Sequence, residues 1–310
     1  MSRLIQCGKS ATDAWGKSVS QGKQMKATVR HESESSGNSV VFKLIELSQK
    51  TRMQWSVVAV ADYGGFLHHG FAMEMNSYSQ SGEDLLLWEY FGGKTDGFFL
   101  EAGANHPTKL SQTWLFELHG WKGILVEPLA KNCALLRQHR PGSRVFQCAL
   151  GAPEQRGRAK IKVAGGDDAL SGLVVDDGVI VERMEEVEVR TLNEVLAEAG
   201  NPKLDFMSLD VEGFELQVLR GFDLMRHRPA MLLIEDHLEN LSVHRHLVRH
   251  GYRVVKRTGV NNWYVPKRQP FHMTTQAERL KLFRKMFLGL PFRKVRLSLR
   301  RRQHHATPAA

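Results

Sequence analysis

Glu101, Gly103, Asn105 and Glu127 are spaced as a nucleoside-binding site would space them. They fall in GFFLEAGANHPTKLSQTWLFELHGWKGILVEP, residues 97–128, which reads as strand, glycine turn, helix, strand and terminal acid. Phe98 to Leu100 form an apolar run, Glu101 to Asn105 make a turn of small residues, and Ser111 to His119 carry helical apolar spacing. The next strand, Ile124 to Val126, ends on Glu127. In doubly wound α/β sheets ligands bind beyond the carboxyl ends of the strands, and an acid about 20 residues past the glycine turn can hydrogen-bond ribose hydroxyls. An ordinary strand-to-helix turn with a chance acid downstream is the plain alternative.

The turn has one glycine, Gly103, where a dinucleotide fingerprint would carry G-x-G-x-x-G, and the chain has no G-x-x-x-x-G-K-[ST] loop. Neither a pyrophosphate nor a nucleoside triphosphate held by such a loop is expected. S-adenosylmethionine fits better: it offers ribose hydroxyls to Glu127, a sulfonium that tolerates a nearby acid such as Glu101, and no phosphate to cradle.

A second group of reactive side chains is Asp210, Glu212, Glu235 and His237, each at or just beyond the carboxyl end of an expected strand. A hydroxyl acceptor of a methyl group must lose its proton, so a base within hydrogen-bond reach is useful there. Asp210 leads, because Leu204 to Leu209 put it at the tip of a buried strand and Gly213 allows close backbone approach. Its plain alternative is a cap for the helix that follows. His237 is weaker: the chain has 14 histidines, and a surface histidine is the simpler reading. Such Asp, Glu and His groupings can hold a divalent metal, but nothing in the spacing demands one and none is expected. Glu83 and Asp84 read as caps for the helix beginning near Leu85. Asp167, Asp168 and Ser171 sit on a Gly- and Asp-rich loop that could fold over the site.

These residues need a scaffold, and from Asn76 onward strands and helices alternate, which implies a parallel sheet covered on both faces. Helices are expected at Ser81–Phe91, Ser111–His119, Lys131–Arg140, Thr191–Ala199, Phe214–Gly221 and Ser242–Arg249. Strands are expected at Phe98–Ala102, Gly123–Val126, Arg144–Cys148, Asp205–Leu209 and Ala230–Ile234, closed by a hairpin of Tyr252–Lys256 and Trp263–Val265. Arg158–Val163 and Val187–Arg190 read as a strand pair inserted around the Gly- and Asp-rich loop. The fold class is α/β, a Rossmann-like doubly wound and mostly parallel seven-stranded sheet with a small β insertion.

From Ser79 to Lys267 the chain resembles the FkbM family of S-adenosylmethionine-dependent methyltransferases. The resemblance rests on SQSGED (Ser79–Asp84), FFLEAGAN (Phe98–Asn105), GWKGILVEP (Gly120–Pro128), VRTL (Val189–Leu192), LDFMSLDVEGFELQVLRGF (Leu204–Phe222) and LLIE (Leu232–Glu235), in that order. It implies the class I methyltransferase fold and transfer of a methyl group to a hydroxyl on a sugar, polyketide or other small-molecule or glycan acceptor. Carried over, Glu101, Gly103 and Asn105 would line the methionine side of the cofactor, Glu127 would hold the ribose, and Cys148, Ala149 and Leu150 would border the adenine. Asp210 would face the reacting centre, within reach of both cofactor and acceptor. Only this resemblance makes Glu83 and Asp84 pocket candidates. Glu101 stands where the family more often has aspartate, Ser208 where it often has lysine, and Asp236 with His237 departs from the usual pattern.

Three domains are expected: an N-terminal extension over 1–75, partly disordered; the methyltransferase domain over 76–268; and a basic amphipathic tail over 269–310. Residues 1–38 are rich in Ser, Gly, Lys and Gln, whereas Val40–Leu47 and Trp55–Val60 are apolar enough for short elements. Met73 and Met75, just before the recognisable domain, suggest a later natural start. The three cysteines lie far apart, favouring a reducing compartment, and no membrane span or secretory signal is evident, so the cytoplasm is expected.

Net charge is +10, and the ten Lys and Arg residues beyond Glu278 account for all of it, leaving residues 1–278 formally neutral. Leu280, Phe283, Phe287 and Leu290 recur at helical spacing among these charges, with Pro291 expected to end the run. Such a helix could dock on anionic lipid, which would place the protein at the periphery of a membrane, or could pack on its own domain. A nucleic-acid methyltransferase using the tail for phosphate contacts is the rival function, and a non-catalytic cofactor-binding scaffold a third. The neutral body and the lack of a basic stripe with interleaved aromatics argue against nucleic acid.

Overall fold

The structure, a computed structural model, describes residues 28–32, 40–47, 54–61, 67–164, 181–293 and 295. The chain divides into two units, 1–76 and 77–310. In the first, β1 (Thr28–Glu32), β2 (Val40–Leu47), β3 (Gln54–Ala61) and β4 (Leu67–Glu74) form an antiparallel meander in that order. β2 and β3 pair without a break from Val40 opposite Ala61 to Leu47 opposite Gln54. β1 lies in a stretch whose composition suggested no structure. Five residues cannot hold a strand alone, and β1 gains its backbone partners from β2.

The second unit opens with α1 (Glu83–Tyr90), β5 (Phe98–Ala102), α2 (Trp114–Leu118), β6 (Lys122–Glu127), α3 (Ala130–His139) and β7 (Ser143–Gln147). β8 (Ala149–Leu150), β9 (Gly157–Ala164) and β10 (Val181–Arg190) follow, then α4 (Leu192–Glu198), β11 (Phe206–Leu209), α5 (Glu215–Arg220), α6 (Leu224–His227) and β12 (Met231–Glu235). α7 (Ser242–Arg249), β13 (Tyr252–Thr258), β14 (Asn261–Pro266) and α8 (Gln276–Phe283) complete it.

The main sheet has seven strands in the order β7-β6-β5-β11-β12-β14-β13. All neighbours from β7 to β12 run parallel, and β14 is antiparallel to both β12 and β13. This is the expected class I methyltransferase architecture. The chain builds outward from β5 to β7 and then returns to β11 on the other side of β5, so connections diverge at the carboxyl ends of β5 and β11. A crevice must open there.

The central strands are sealed on both faces, which explains their continuous apolar runs. Leu100, Ile124, Met207, Leu209, Leu232 and Ile234 pack with Leu192, Val195, Leu196, Val218, Leu219 and Leu247 of the helices. Elsewhere in the core Phe91, Phe116, Trp121 and Phe206 gather with neighbouring ring centroids 4.8 to 5.7 Å apart.

Several elements differ from expectation. α2 begins at Trp114 rather than Ser111, because Ser111, Gln112 and Thr113 hydrogen-bond Glu101 instead of starting a helix. The insertion is a three-stranded sheet, order β8-β10-β9, since the chain leaves β7 at Gln147 and pairs Ala149 and Leu150 with Val189 and Arg190. α6 was not foreseen; Asp223 caps it through the amides of Met225 and Arg226. Pro291 does not end the tail helix: α8 passes into a π turn at Arg284–Leu288, and residues 290–293 add another helical turn. Pro291 stands in the first turn of that last piece, where a missing N–H costs nothing. Asp167, Asp168 and Ser171 lie outside the described residues.

Candidate active site

The crevice beyond β5 and β11 is a cleft lined by Glu101, Gly103, Asn105, Glu127, Cys148, Ala149, Asp210 and Glu212, with Val126, Leu129, Leu150 and Ile161 among its apolar walls. The seven residues that the resemblance assigns to the cofactor before Asp210, namely Glu101, Gly103, Asn105, Glu127, Cys148, Ala149 and Leu150, all line this one space. Gly103 makes the turn possible. Its φ is +81°, and a Cβ there would collide with the Asp210 backbone carbonyl. The amides of Gly103 and Ala104 donate to the Val126 carbonyl at 3.0 and 3.2 Å, and the Asp210 amide donates to Ala102 at 3.0 Å. The two motifs thus interlock through backbone.

Glu127, the last residue of β6, accepts from the Asn105 amide on Oε2 and the Leu129 amide on Oε1, both at 2.9 Å. These two bonds hold the carboxylate at the edge of the cleft, which it lines. Asn105, at φ +44°, is steadied by Asn132, whose amide donates to its side-chain oxygen at 2.9 Å.

Glu101 lines the cleft, but its carboxylate is engaged inward. It accepts from Ser111 Oγ at 3.2 Å, the Gln112 amide at 3.0 Å and Thr113 Oγ1 at 2.5 Å, with Arg140 Nη1 3.9 Å away. Burial raises its pKa, opposed by Arg140 and by these hydrogen bonds. Arg140, itself buried, forms a 2.7 Å ion pair with Glu117 and donates to Thr113 and the Pro107 carbonyl. This network fixes the floor of the turn. Ser208 donates to the Gln112 side-chain oxygen, and both line the cleft. Gln112 carried no sequence signal, since only the pairing of β5 with β11 brings it to Ser208.

Asp210, Glu212 and Glu235 converge at the ends of β11 and β12, with one carboxylate oxygen of each within 4.8 Å of the others. Glu212, at φ +52°, and Gly213, at φ +88°, turn the chain sharply after β11. Asp210 is not the helix cap: α5 begins at Glu215 after Phe214 with no side-chain cap, and the Glu215 carboxylate instead braces the preceding turn, accepting from the amides of Val211 at 3.2 Å and Gly213 at 3.1 Å. Burial, followed by the charge of Glu235, pushes the Asp210 carboxyl well above the ordinary range. Burial works to raise Glu235 as well, but bonds to His237 and Asp210 outweigh it and hold Glu235 low.

His237 extends from the same end of the sheet, its Nε2 3.4 Å from Glu235 Oε1. Hydrogen bonding to Glu235 raises its pKa to about 9 against opposing burial, so it carries a positive charge at neutral pH. It is exposed, as a surface histidine would be, yet belongs to the acid cluster. Among the described residues Glu235 and His237 stand beside the cleft rather than in its wall. Oxygen donors this close suit a hard divalent cation; without an ion, the same closeness makes the acids share protons.

Glu83 and Asp84 are tethers, not pocket residues. Asp84 accepts from Ser77, Tyr78 and Ser79, and Glu83 from Ser81, Thr258 and Asn261. Both are fully buried, binding the start of α1 to its lead-in and to the β13–β14 turn.

The cleft fits S-adenosylmethionine on its own terms. The acid Glu127 closes β6, apolar residues flank Cys148 and Ala149, a Cβ-free turn admits close approach, and carboxylates suit a cation. No curated protein matches the chain. Among solved structures, precorrin-6y C5,15-methyltransferase from Geobacter metallireducens GS-15 is 8% identical at a TM-score of 0.34, covering 59% of this chain and 85% of its own. The fibrillarin pre-rRNA processing protein of Methanococcus jannaschii is 10% identical at 0.33, covering 78% and 98%. A SAM-dependent methyltransferase from Agrobacterium tumefaciens is 10% identical at 0.33, covering 81% and 80%. No residue role is taken from similarities this distant. Residues 101–254 match the Methyltransferase FkbM domain. That stretch holds Gly103, Glu127 and the acid cluster, and through it the chain carries the methyltransferase domain of the FkbM family.

Proposed function

We propose that the protein methylates a hydroxyl oxygen on a sugar, polyketide or other small-molecule or glycan acceptor. The observation that carries this reading is the carboxylate cluster of Asp210, Glu212 and Glu235, paired with His237, whose first two members line the cleft. A hydroxyl is a poor nucleophile until its proton has somewhere to go, and this cluster offers that place.

In this reading Glu127 holds the ribose hydroxyls, Cys148, Ala149 and Leu150 border the adenine, and Gly103 and Asn105 shape the methionine side, with Glu101 bracing the turn behind them. Bound there, S-adenosylmethionine supplies a methyl carbon already activated for displacement. The chain's own task is alignment and proton removal. Asp210, with its raised pKa, takes the acceptor's proton as the new oxygen–carbon bond forms. His237 balances the charge of Glu235, so that Asp210 can shed its proton between turnovers without leaving three unopposed carboxylates.

The test follows methyl groups. The protein is incubated with labelled cofactor and separate panels of glycans, hydroxylated polyketides, amines and RNA, with S-adenosylhomocysteine release measured and the methyl located by mass spectrometry. Methyl ethers on hydroxyl acceptors are expected. Transfer to RNA or amines alone would replace the reading, and tight cofactor binding without turnover on any acceptor would make the protein a scaffold.

A further inference from the structure

The C-terminal helix has two apolar faces. Met286 is fully buried, with Leu282 and Leu290 part-buried one turn to either side. This face is fastened to the domain by Lys256, whose Nζ meets Glu278 at 2.8 Å, by Arg293, which donates to the Leu238 carbonyl at 2.9 Å, and by His244 against the Phe287 ring. The other face is bare. Leu280, Phe283, Leu288 and Phe292 are 59%, 51%, 58% and 78% exposed, and the Phe283 and Phe287 rings contact one another at 5.2 Å instead of seeking the core. Among the described residues, six of the twelve exposed large apolar side chains fall between 280 and 295.

Packing on the domain therefore accounts for one face and leaves a concentrated apolar stripe in water, which marks an interaction surface. Its charge selects the occupant. Arg279, Lys281, Arg284 and Lys285 flank the stripe, and no acid follows Glu278 in the chain. A second copy would set like charges against like. Nucleic acid would satisfy the basic residues but give the leucines nothing to bury. An interface that is anionic at its surface and apolar just below it meets both demands. Among the described residues no helix is long and apolar enough to cross a membrane, so the contact is a surface one.

We propose that residues 276–295 dock the protein on an anionic lipid surface, with Leu280, Phe283, Leu288 and Phe292 seated below the headgroups and the flanking Arg and Lys side chains among them. The buried Met286 face holds the element rigidly on the catalytic domain, so docking sets the domain's position at the bilayer.

The test is co-sedimentation of the full chain with vesicles of phosphatidylcholine alone or with about 30% phosphatidylserine. Partitioning at least about tenfold stronger on the anionic vesicles, weakened by added salt, is expected. The double variant F283D/L288D should lose about tenfold or more of that partitioning, with its circular dichroism and cofactor affinity unchanged. A second pair, L280D/F292D, should do the same. Equal partitioning on both vesicle types, or anionic binding that survives both double variants, would overturn the proposal. Binding to RNA or an acidic polypeptide with none to vesicles would reassign the surface.

Discussion

The backbone carbonyl of Asp210 occupies the space into which a side chain on Gly103 would project. The cofactor turn and the acid-bearing turn are thus built against each other, and neither can move alone. Gly103→Ala forces a side chain into this contact at a left-handed φ of +81°. A loss of about 3 kcal/mol or more is expected, seen as a melting temperature roughly 6–12 °C lower, with cofactor binding abolished. Differential scanning fluorimetry and calorimetric titration check both parts.

Glu127→Gln tests the ribose contact more gently than alanine, because Gln keeps the side chain's shape and an acceptor for one of the two amides, Asn105 or Leu129, that the carboxylate serves with separate oxygens. Affinity for S-adenosylmethionine and S-adenosylhomocysteine should fall together, by about 10- to 100-fold, the scale of a hydrogen bond to a charged group. Unchanged affinity for both would remove Glu127 from the site.

Asp210→Asn separates chemistry from stability. The rate constant for methyl transfer should fall by about 10²- to 10⁴-fold, the usual share of a general base. Stability should move the other way. A carboxyl whose pKa is raised on folding favours the fold at low pH and forfeits that contribution as pH rises through its folded value. A neutral amide there should raise the melting temperature at pH 8 by about 2–4 °C, the equivalent of about 1 kcal/mol, with no gain in strong acid.

His237 titrates in the opposite sense. Its folded pKa, raised to about 9 by Glu235, means that its contribution is fully present below the unfolded value of 6.5 and is lost as pH climbs through about 9. The stability difference between wild type and His237→Gln should be largest near pH 6 and vanish above about pH 9. His237 is well exposed, so the effect should be small and shrink with salt. Thermal melts over that pH range measure it, and an NMR titration of the ring should place its midpoint near 9.

Arg140→Met should be among the most damaging changes outside the cleft. Arg140 is buried against Glu101 and Glu117, and removing it strands two acids in the interior. A loss of about 3–5 kcal/mol is expected, the usual consequence of breaking a buried pair. Adding Glu117→Gln should recover part of it in the same melting assay.

Much of this protein is legible from local pattern. The apolar runs at Phe98–Leu100, Ile124–Val126 and Met231–Ile234 are strands wherever they are placed, because parallel strands sealed on both faces need continuous hydrophobicity. The single glycine of EAGAN, with an acid closing the next strand, narrowed the ligand to one with ribose and no pyrophosphate. The composition beyond Glu278 announced a basic amphipathic helix. Such features depend on spacing within one or two elements, which covalent geometry transmits directly.

What depends on distant segments meeting was decided by the tertiary structure. Asp210 and Glu235 become one titrating cluster only because β11 and β12 lie side by side, and Glu101 turns inward only because Arg140 is buried behind it. Glu83 and Asp84 look like site acids until their tethers are seen, and Asp210 looks like a cap until α5 is seen to begin beyond it, at Glu215. The tail's second, unburied face shows itself only once the first is docked. Sequence specifies which side chains can carry charge, bend a turn or seek the core; their pKa values and partners follow from neighbours that the sheet order supplies.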